Sequence, residues 1–68
     1  MPTEIYFSFY TDGTKYHVRV VASSLSVFPG NLKQVTASAY DRLHAVSKLY
    51  DKCKNLLPEN QNFRLVEI

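Results

Sequence analysis

The chain has a single cysteine, Cys53, so it cannot form an internal disulfide bond. Small secreted domains usually depend on several disulfides, because their cores are too small to hold the fold alone. The chain also lacks a basic N-terminal stretch followed by an apolar run, and none of its apolar runs approaches the roughly 18 residues of a membrane span. These absences predict a cytoplasmic protein without a membrane partner.

Residues suited to catalysis or metal binding are equally sparse. The two histidines, His17 and His44, fall in different predicted elements, and Cys53 lies in an apolar stripe. A zinc site takes several such ligands, and a nucleophilic cysteine needs a base within reach. Neither can be assembled from one cysteine and two scattered histidines, and we find no nucleotide-binding motif. We therefore expect no enzymatic activity, no metal and no cofactor.

The balance of charge is nearly even. Eight Lys and Arg residues stand against six Asp and Glu residues, a net charge of +2 that by itself does not indicate nucleic-acid binding. Hydrophobic residues make up 46% and charged residues 21% of the chain, as in globular proteins. We expect residues 1–68 to form one domain of marginal stability, as a monomer or a small homo-oligomer.

Two alternating runs flank the pair Asp12-Gly13 between Ile5 and Val21. Such a pair favours a two-residue type I′ turn, in which both central residues take positive φ, so the runs predict a β-hairpin. Counting outward from the turn places Phe7 opposite Val18. Because a shift by one residue would move every side chain to the other face, this register decides which residues are buried.

The predicted hairpin has two chemically different faces, since side chains alternate along a strand. The apolar face is expected to pack on the core; it carries Ile5, Phe7, Phe9, Tyr16, Val18 and Val20. The other face combines tyrosines with cations; it carries Tyr6, Ser8, Tyr10, Lys15, His17 and Arg19. The predicted register sets Tyr6 opposite Arg19 and Tyr10 opposite Lys15, close enough for cation–π contact.

Apolar residues recurring every three or four positions predict an amphipathic helix that ends before Pro58. Its apolar stripe comprises Ala39, Leu43, Val46, Tyr50, Cys53 and Leu57, widened by Leu49 and Leu56. Ser38 followed three residues later by Asp41 is a variant capping box, which predicts a start at Ser38. A longer helix from Asn31 is the alternative, although it would greatly exceed the length of the strands.

The remaining segments complete a small α+β fold. The connection 22–37 holds too many apolar residues for a solvated linker, and Leu32–Thr36 is its candidate strand. Phe63–Ile68 reads as a closing strand. We predict an N-terminal hairpin, an irregular segment or short strand, one helix packed on one face of a small mixed sheet, and a C-terminal strand. In element order alone this resembles β-grasp domains and several small phage-encoded inhibitor proteins.

The tyrosine-rich hairpin face is the best indication of function. The predicted binding residues are Tyr6, Tyr10, Lys15, His17, Arg19 and Arg64. Tyr and Arg are enriched at binding hot spots, although they are also ordinary residues of an exposed sheet surface. We predict a non-enzymatic regulator or inhibitor, of the kind that phages and mobile elements encode, that occupies a site on a larger protein. A small nucleic-acid-binding domain using the same face is the alternative.

Overall fold

The computed structural model describes residues 2–68 and has the predicted α+β fold. Four strands form one mixed sheet in the order β3-β2-β1-β4. Strand β1 is antiparallel to β2 and parallel to β4, and β3 is antiparallel to β2. The elements are β1 (Thr3–Thr11), β2 (Tyr16–Val20), a 3₁₀ helix (Ala22–Val27), β3 (Thr36–Ala39), α1 (Arg42–Leu56) and β4 (Phe63–Glu67).

The hairpin turn between β1 and β2 is longer than predicted. The Asp12 carboxylate oxygen Oδ1 accepts the backbone N–H groups of Thr14 and Lys15, both at 2.9 Å. Gly13 has a φ of 91°, whereas no residue other than glycine has positive φ in the described range 2–68. A type I′ turn would need positive φ at Asp12 as well, so the predicted turn is wrong. The Asp12 side chain instead organises a four-residue connection, as aspartates often do in turns.

The longer turn shifts the pairing of β1 and β2 by two residues. Phe7 lies opposite Val20 and Phe9 lies opposite Val18, whereas the shorter turn had placed Phe7 opposite Val18. Because side chains alternate with a period of two, a shift by two leaves each strand residue on the face predicted for it. The predicted pairs are therefore wrong, and the predicted faces of β1 and β2 are confirmed.

The core lies between the sheet and helix α1. Its buried residues are Ile5, Phe7, Val18, Val20, Phe28, Val35, Ala39, Ala45, Leu49, Cys53 and Leu57. The segment between β2 and β3 contributes Phe28 and Val35 to the core, which confirms the prediction that this segment packs on it. The strand within it was predicted four residues too early, because residues 36–39 are the ones that pair with β2. Tyr16, expected in the core, is 36% exposed near the end of the sheet.

Helix α1 begins later than either predicted start. Its N-cap is Asp41, whose carboxylate accepts the backbone N–H of His44 at 2.8 Å. Ser38 cannot cap the helix because it belongs to strand β3. A helix starting at Asn31 is excluded because it would have to run through that strand. The helix ends at the residue before its C-cap, Leu57, which confirms the predicted stop ahead of Pro58.

Only part of the predicted helical stripe is buried. Leu49 and Cys53 of that stripe are fully buried, together with Ala45, which was not predicted to belong to it. By contrast, Leu43 is 85% exposed and Tyr50 is 43% exposed, so their predicted place in the core is wrong. The physical reason is that α1 lies mainly over β3 and β2, which leaves its flank on the side of β4 without a covering element.

Candidate functional site

The sheet face opposite helix α1, called the outer face here, carries most of the predicted binding residues. It is formed by Glu4, Tyr6, Ser8 and Tyr10 of β1, His17 and Arg19 of β2, Thr36 and Ser38 of β3, and Arg64 and Val66 of β4. Lys15 is the exception, because the longer turn removes it from the strand. Its Nζ lies 5.2 Å from the centroid of the Tyr40 ring instead.

An aromatic stack occupies the end of the outer face nearest the turn. Tyr10 and His17 lie opposite each other on β1 and β2, with ring centroids 4.8 Å apart and planes inclined by 17°. The Cζ of Arg19 lies 5.9 Å from the centroid of the Tyr10 ring. The predicted pairing of Tyr10 with Lys15 is therefore wrong, and Arg19 is its neighbouring cation. This cation was expected opposite Tyr6, but in the true register it lies opposite Ser8.

His17 connects three elements through its two ring nitrogens. Nδ1 lies 2.7 Å from the Ser38 hydroxyl on β3, and Nε2 lies 3.2 Å from Asp12 Oδ2 in the turn. The backbone N–H groups of Lys15 and Thr14 lower the pKa of Asp12 well below its usual range, and His17 adds to this effect. The ionised carboxylate therefore orients the imidazole, which in turn positions the face of Tyr10.

Ser38, His17 and Asp12 are arranged as a serine, a histidine and a carboxylate in series. With the proton on Nε2 donated to Asp12, Nδ1 accepts the Ser38 hydroxyl proton, which is the order of groups that activates a nucleophilic serine. Hydrolysis also requires a cleft for the substrate and donors aimed at its oxyanion. Ser38 lies outside the depressions that are lined by Arg19, Tyr50, Tyr6 and Leu43. We interpret the series as a structural link, and the absence of enzymatic activity stays a prediction.

A second cluster occupies the opposite end of the outer face. The Tyr6 hydroxyl donates to Glu4 Oε1 at 2.8 Å, and Arg64 pairs with Oε2 of the same carboxylate. Arg64 and Tyr6 lower the pKa of Glu4, while Glu4 raises the pKa of Tyr6. Together with Pro2 these side chains line an open depression of about 610 Å³. Two of the predicted binding residues, Tyr6 and Arg64, are thus held by the same carboxylate.

Glu4 and Ser24 contribute to this face although neither was predicted as a site residue. Glu4 could have been found, because it lies two residues before Tyr6 and therefore shares its face. Ser24 carries no comparable signal. It is 4% exposed, and its Oγ accepts the backbone N–H of Tyr6 at 3.0 Å, while the Tyr6 carbonyl accepts the N–H of Val21 at 2.9 Å. Only the folded chain brings this hydroxyl to β1.

The other chemistry-bearing groups do not form a site. Cys53 is fully buried, and this burial raises the pKa of its thiol to about 11, so the thiol is protonated at neutral pH. Within residues 2–68, no three His, Cys, Asp or Glu side chains are grouped to hold a metal ion. Across the same residues, no helix has both the length and the apolar character needed to cross a bilayer.

Comparison of the chain with protein-family models, curated proteins and solved structures finds no match.

Proposed function

We propose that the protein is a non-enzymatic regulator or inhibitor that binds a larger protein through the outer face. The observation that carries this proposal is the stack of Tyr10 on His17 with Arg19 beside it, all on one exposed surface. Tyr and Arg are the residue types that dominate binding hot spots. Tyr10 is 50% exposed and makes no contribution to the buried core, so its ring is available to a partner.

The stack is organised before any partner binds. Asp12 and Ser38 each hold one nitrogen of the His17 ring, and the ring lies against Tyr10. Side chains that are already immobile lose less conformational entropy on association than flexible ones do. This supports a role in recognition, because these side chains lose conformational entropy when the chain folds and therefore lose less of it when a partner binds.

The distribution of charge supports a protein partner over nucleic acid. Of the three cations expected to meet phosphates, Arg64 is paired with Glu4 and Lys15 lies over the Tyr40 ring. Among residues 2–68, Arg19 has no carboxylate partner, and its guanidinium lies near the Tyr10 ring. Binding to nucleic acid depends on several phosphate contacts made together, and one available guanidinium supplies few of them.

The same groups suggest what the partner surface contains. A guanidinium accepts a carboxylate in two parallel hydrogen bonds, and an exposed tyrosine ring packs against aromatic or aliphatic side chains. We therefore propose that the partner presents an acidic side chain to Arg19 and an apolar one to Tyr10. A cytoplasmic setting for this encounter rests on the lone cysteine, Cys53, and stays a prediction.

The proposal is tested with a partner captured from nuclease-treated lysate and then purified. The double variant Tyr10→Ala with Arg19→Ala should weaken binding by about 30-fold or more, the equivalent of roughly 2 kcal/mol at a hot spot. The matched control is Tyr50→Ala, since Tyr50 is 43% exposed but belongs to helix α1, on the other side of the sheet from the outer face. Isothermal titration gives the affinities, and circular dichroism confirms that each variant is folded.

Two results would contradict the proposal. One is an equal loss of affinity in Tyr50→Ala and in the double variant, which would place the interface away from the outer face. The other is tight binding of labelled single- or double-stranded oligonucleotides that weakens steeply as salt rises. Such behaviour signals release of counterions from phosphates and would identify the alternative function, a nucleic-acid-binding domain.

A further inference from the structure

The two edges of the sheet are treated differently by the rest of the chain. At the β3 edge, the carbonyls of Thr36 and Ser38 point away from the sheet and accept hydrogen bonds from lysines of helix α1. Lys52 Nζ donates to the Thr36 carbonyl at 2.7 Å, and Lys48 Nζ donates to the Ser38 carbonyl at 3.2 Å. Lysines are a common means of preventing another strand from adding to an edge. The β3 edge is therefore closed.

The β4 edge has no such protection among the described residues. The N–H of Thr3 donates to the Asn62 carbonyl, and the N–H of Ile68 donates to the Phe7 carbonyl, both at 3.0 Å. Because bonding alternates along a parallel strand, the even-numbered residues of β4 bond to β1. The backbone groups that point away from the sheet are then those of Phe63, Leu65 and Glu67. Strand β4 contains neither proline nor lysine, and its two charged residues, Arg64 and Glu67, are paired with Glu4 and Arg42 of the same chain.

Helix α1 presents an apolar flank beside this open edge. The flank consists of Leu43, Val46 and Tyr50, spaced by three and four residues and so aligned on one side of the helix. Leu43 is 85% exposed, and the Tyr50 ring stacks on Phe63 of β4 with centroids 4.9 Å apart. The lysines Lys48 and Lys52 point to the opposite edge. Unpaired backbone and uncovered apolar side chains thus occur on the same side of the molecule.

We propose that β4 pairs in antiparallel fashion with β4 of a second copy of this chain, joining the two sheets into one. In the register centred on Leu65, the Leu65 residues of the two copies lie opposite each other, and Phe63 of one copy lies opposite Glu67 of the other. The outward N–H and C=O groups of all three residues are then satisfied. The two-fold axis also turns the two apolar flanks toward each other on the same side of the joined sheet.

The positions of the charged residues favour pairing with a second copy in this register over other registers. Arg64 would lie opposite Val66 of the second copy, whereas centring on Arg64 would place two guanidiniums against each other. The antiparallel arrangement also sets the last turn of one helix, with Lys54, near the first turn of the other, where Glu67 is paired with Arg42 at 3.0 Å. A cation near that carboxylate is favourable, and the interface is complementary to itself as a two-fold axis requires.

The first test uses the unmodified chain alone. Sedimentation velocity from about 10 µM to about 1 mM should show a shift from monomer to dimer. Over the same range, exchange of the amide hydrogens of Phe63, Leu65 and Glu67 should slow markedly. The amides of Arg64 and Val66 bond to β1 and serve as internal controls with little concentration dependence. The proposal would be overturned if the chain stayed monomeric throughout this range, or if the exchange rates of the outward amides did not change with protein concentration.

The second test compares matched variants. Leu43→Lys places a charge in the apolar flank and should weaken dimerisation at least tenfold, whereas Asn55→Lys adds the same charge at an exposed position away from the flank. Glu67→Pro removes one outward N–H and should weaken it further than Glu67→Ala, which removes only the ion pair with Arg42. If the two lysine variants weakened dimerisation equally, and the two Glu67 variants did so as well, a different surface would be responsible for dimerisation.

Dimerisation does not rest on the proposed function. The variant Tyr10→Ala should dimerise normally, because Tyr10 lies on β1 far along the strand from the β1–β4 pairing. Thermal melts establish that each variant is folded, and the exchange measurement on the unmodified chain decides the question if Glu67→Pro does not fold. Failure of dimerisation therefore leaves the outer-face proposal intact, and the reverse also holds.

Discussion

The Ser24 hydroxyl takes a position that a strand neighbour would otherwise fill. Strand β2 ends at Val20, and the chain then turns into a 3₁₀ helix, so β1 loses its backbone partner on that side. The Tyr6 carbonyl still accepts the N–H of Val21, but its own N–H donates to Ser24 Oγ. A buried donor without an acceptor would cost free energy, and a side chain from a later segment removes that cost.

We predict that Ser24→Ala destabilises the protein by about 1–3 kcal/mol, because it leaves the Tyr6 N–H buried without an acceptor. Urea denaturation measures the change in the free energy of unfolding. Ser23→Ala is the matched control, since Ser23 is exposed and its substitution should cost less than about 0.5 kcal/mol. Similar costs for both variants would mean that the hydroxyl of Ser24 does not stabilise β1.

Helix α1 shows how an element with one amphipathic pattern serves two surfaces. The buried stripe of the helix consists of Ala45, Leu49 and Cys53. Leu43 and Tyr50 lie on the neighbouring side of the helix and remain exposed. Periodicity alone cannot separate these two stripes, because both satisfy the three-and-four spacing of a helix. The position of the helix over β3 and β2 decides which of them is covered.

We predict that Leu49→Ala costs about 2–5 kcal/mol of stability, since Leu49 is fully buried and its truncation leaves a cavity. Leu43→Ala removes the same atoms from a side chain that is 85% exposed, so it should cost less than about 0.5 kcal/mol in dilute solution, where the monomer prevails. Thermal melts at low protein concentration compare them. A larger loss for Leu43→Ala would show that the helix is rotated relative to the sheet.

At the scale of the whole molecule, acid stability depends on carboxylates that hold the ends of the outer face. Asp12 and Glu4 both have pKa values below their usual range in the folded protein. They bind fewer protons when folded than when unfolded. The stability they contribute is thus complete above their unfolded pKa of about 4 and is lost as the pH falls through the folded values.

We predict that the thermal midpoint of Asp12→Asn falls less between about pH 5 and about pH 2.5 than that of the unmodified protein. Asparagine keeps an oxygen that can accept the N–H groups of Thr14 and Lys15, but it does not titrate. Asp51→Asn is the control, because it makes the same charge change on an exposed helical position. The same acid sensitivity in Asp12→Asn and in the unmodified chain would contradict a stabilising role for this carboxylate.

The small size of the protein gives dimerisation through the apolar flank a stabilising effect, and such a dimer leaves the outer face accessible. A folded chain of 68 residues buries only about 60% of the surface that it exposes when unfolded, so its stability margin is small. Burial of Leu43 and Tyr50 against a second copy would add apolar area that the monomer cannot cover. The outer face would remain open on both copies, because it lies on the side of the sheet away from the helices.

The faces of the hairpin could be predicted from the sequence because they depend on a local period of two, which even the error in the turn did not disturb. The end of helix α1 was equally local, since Pro58 cannot continue a helix. The candidate site was only partly predictable. Tyr10, His17 and Arg19 were assigned to the correct face but to the wrong neighbours.

Tertiary structure decided everything that depends on hydrogen bonds between distant segments. The start of α1 follows from the pairing of Ser38 with β2, whereas the length of the turn follows from local hydrogen bonds of the Asp12 carboxylate. Neither bond has a periodic signal in the sequence. The sequence by itself therefore determined which side chains share a face, whereas the folded chain determined which of them touch and which, like Leu43, remain uncovered.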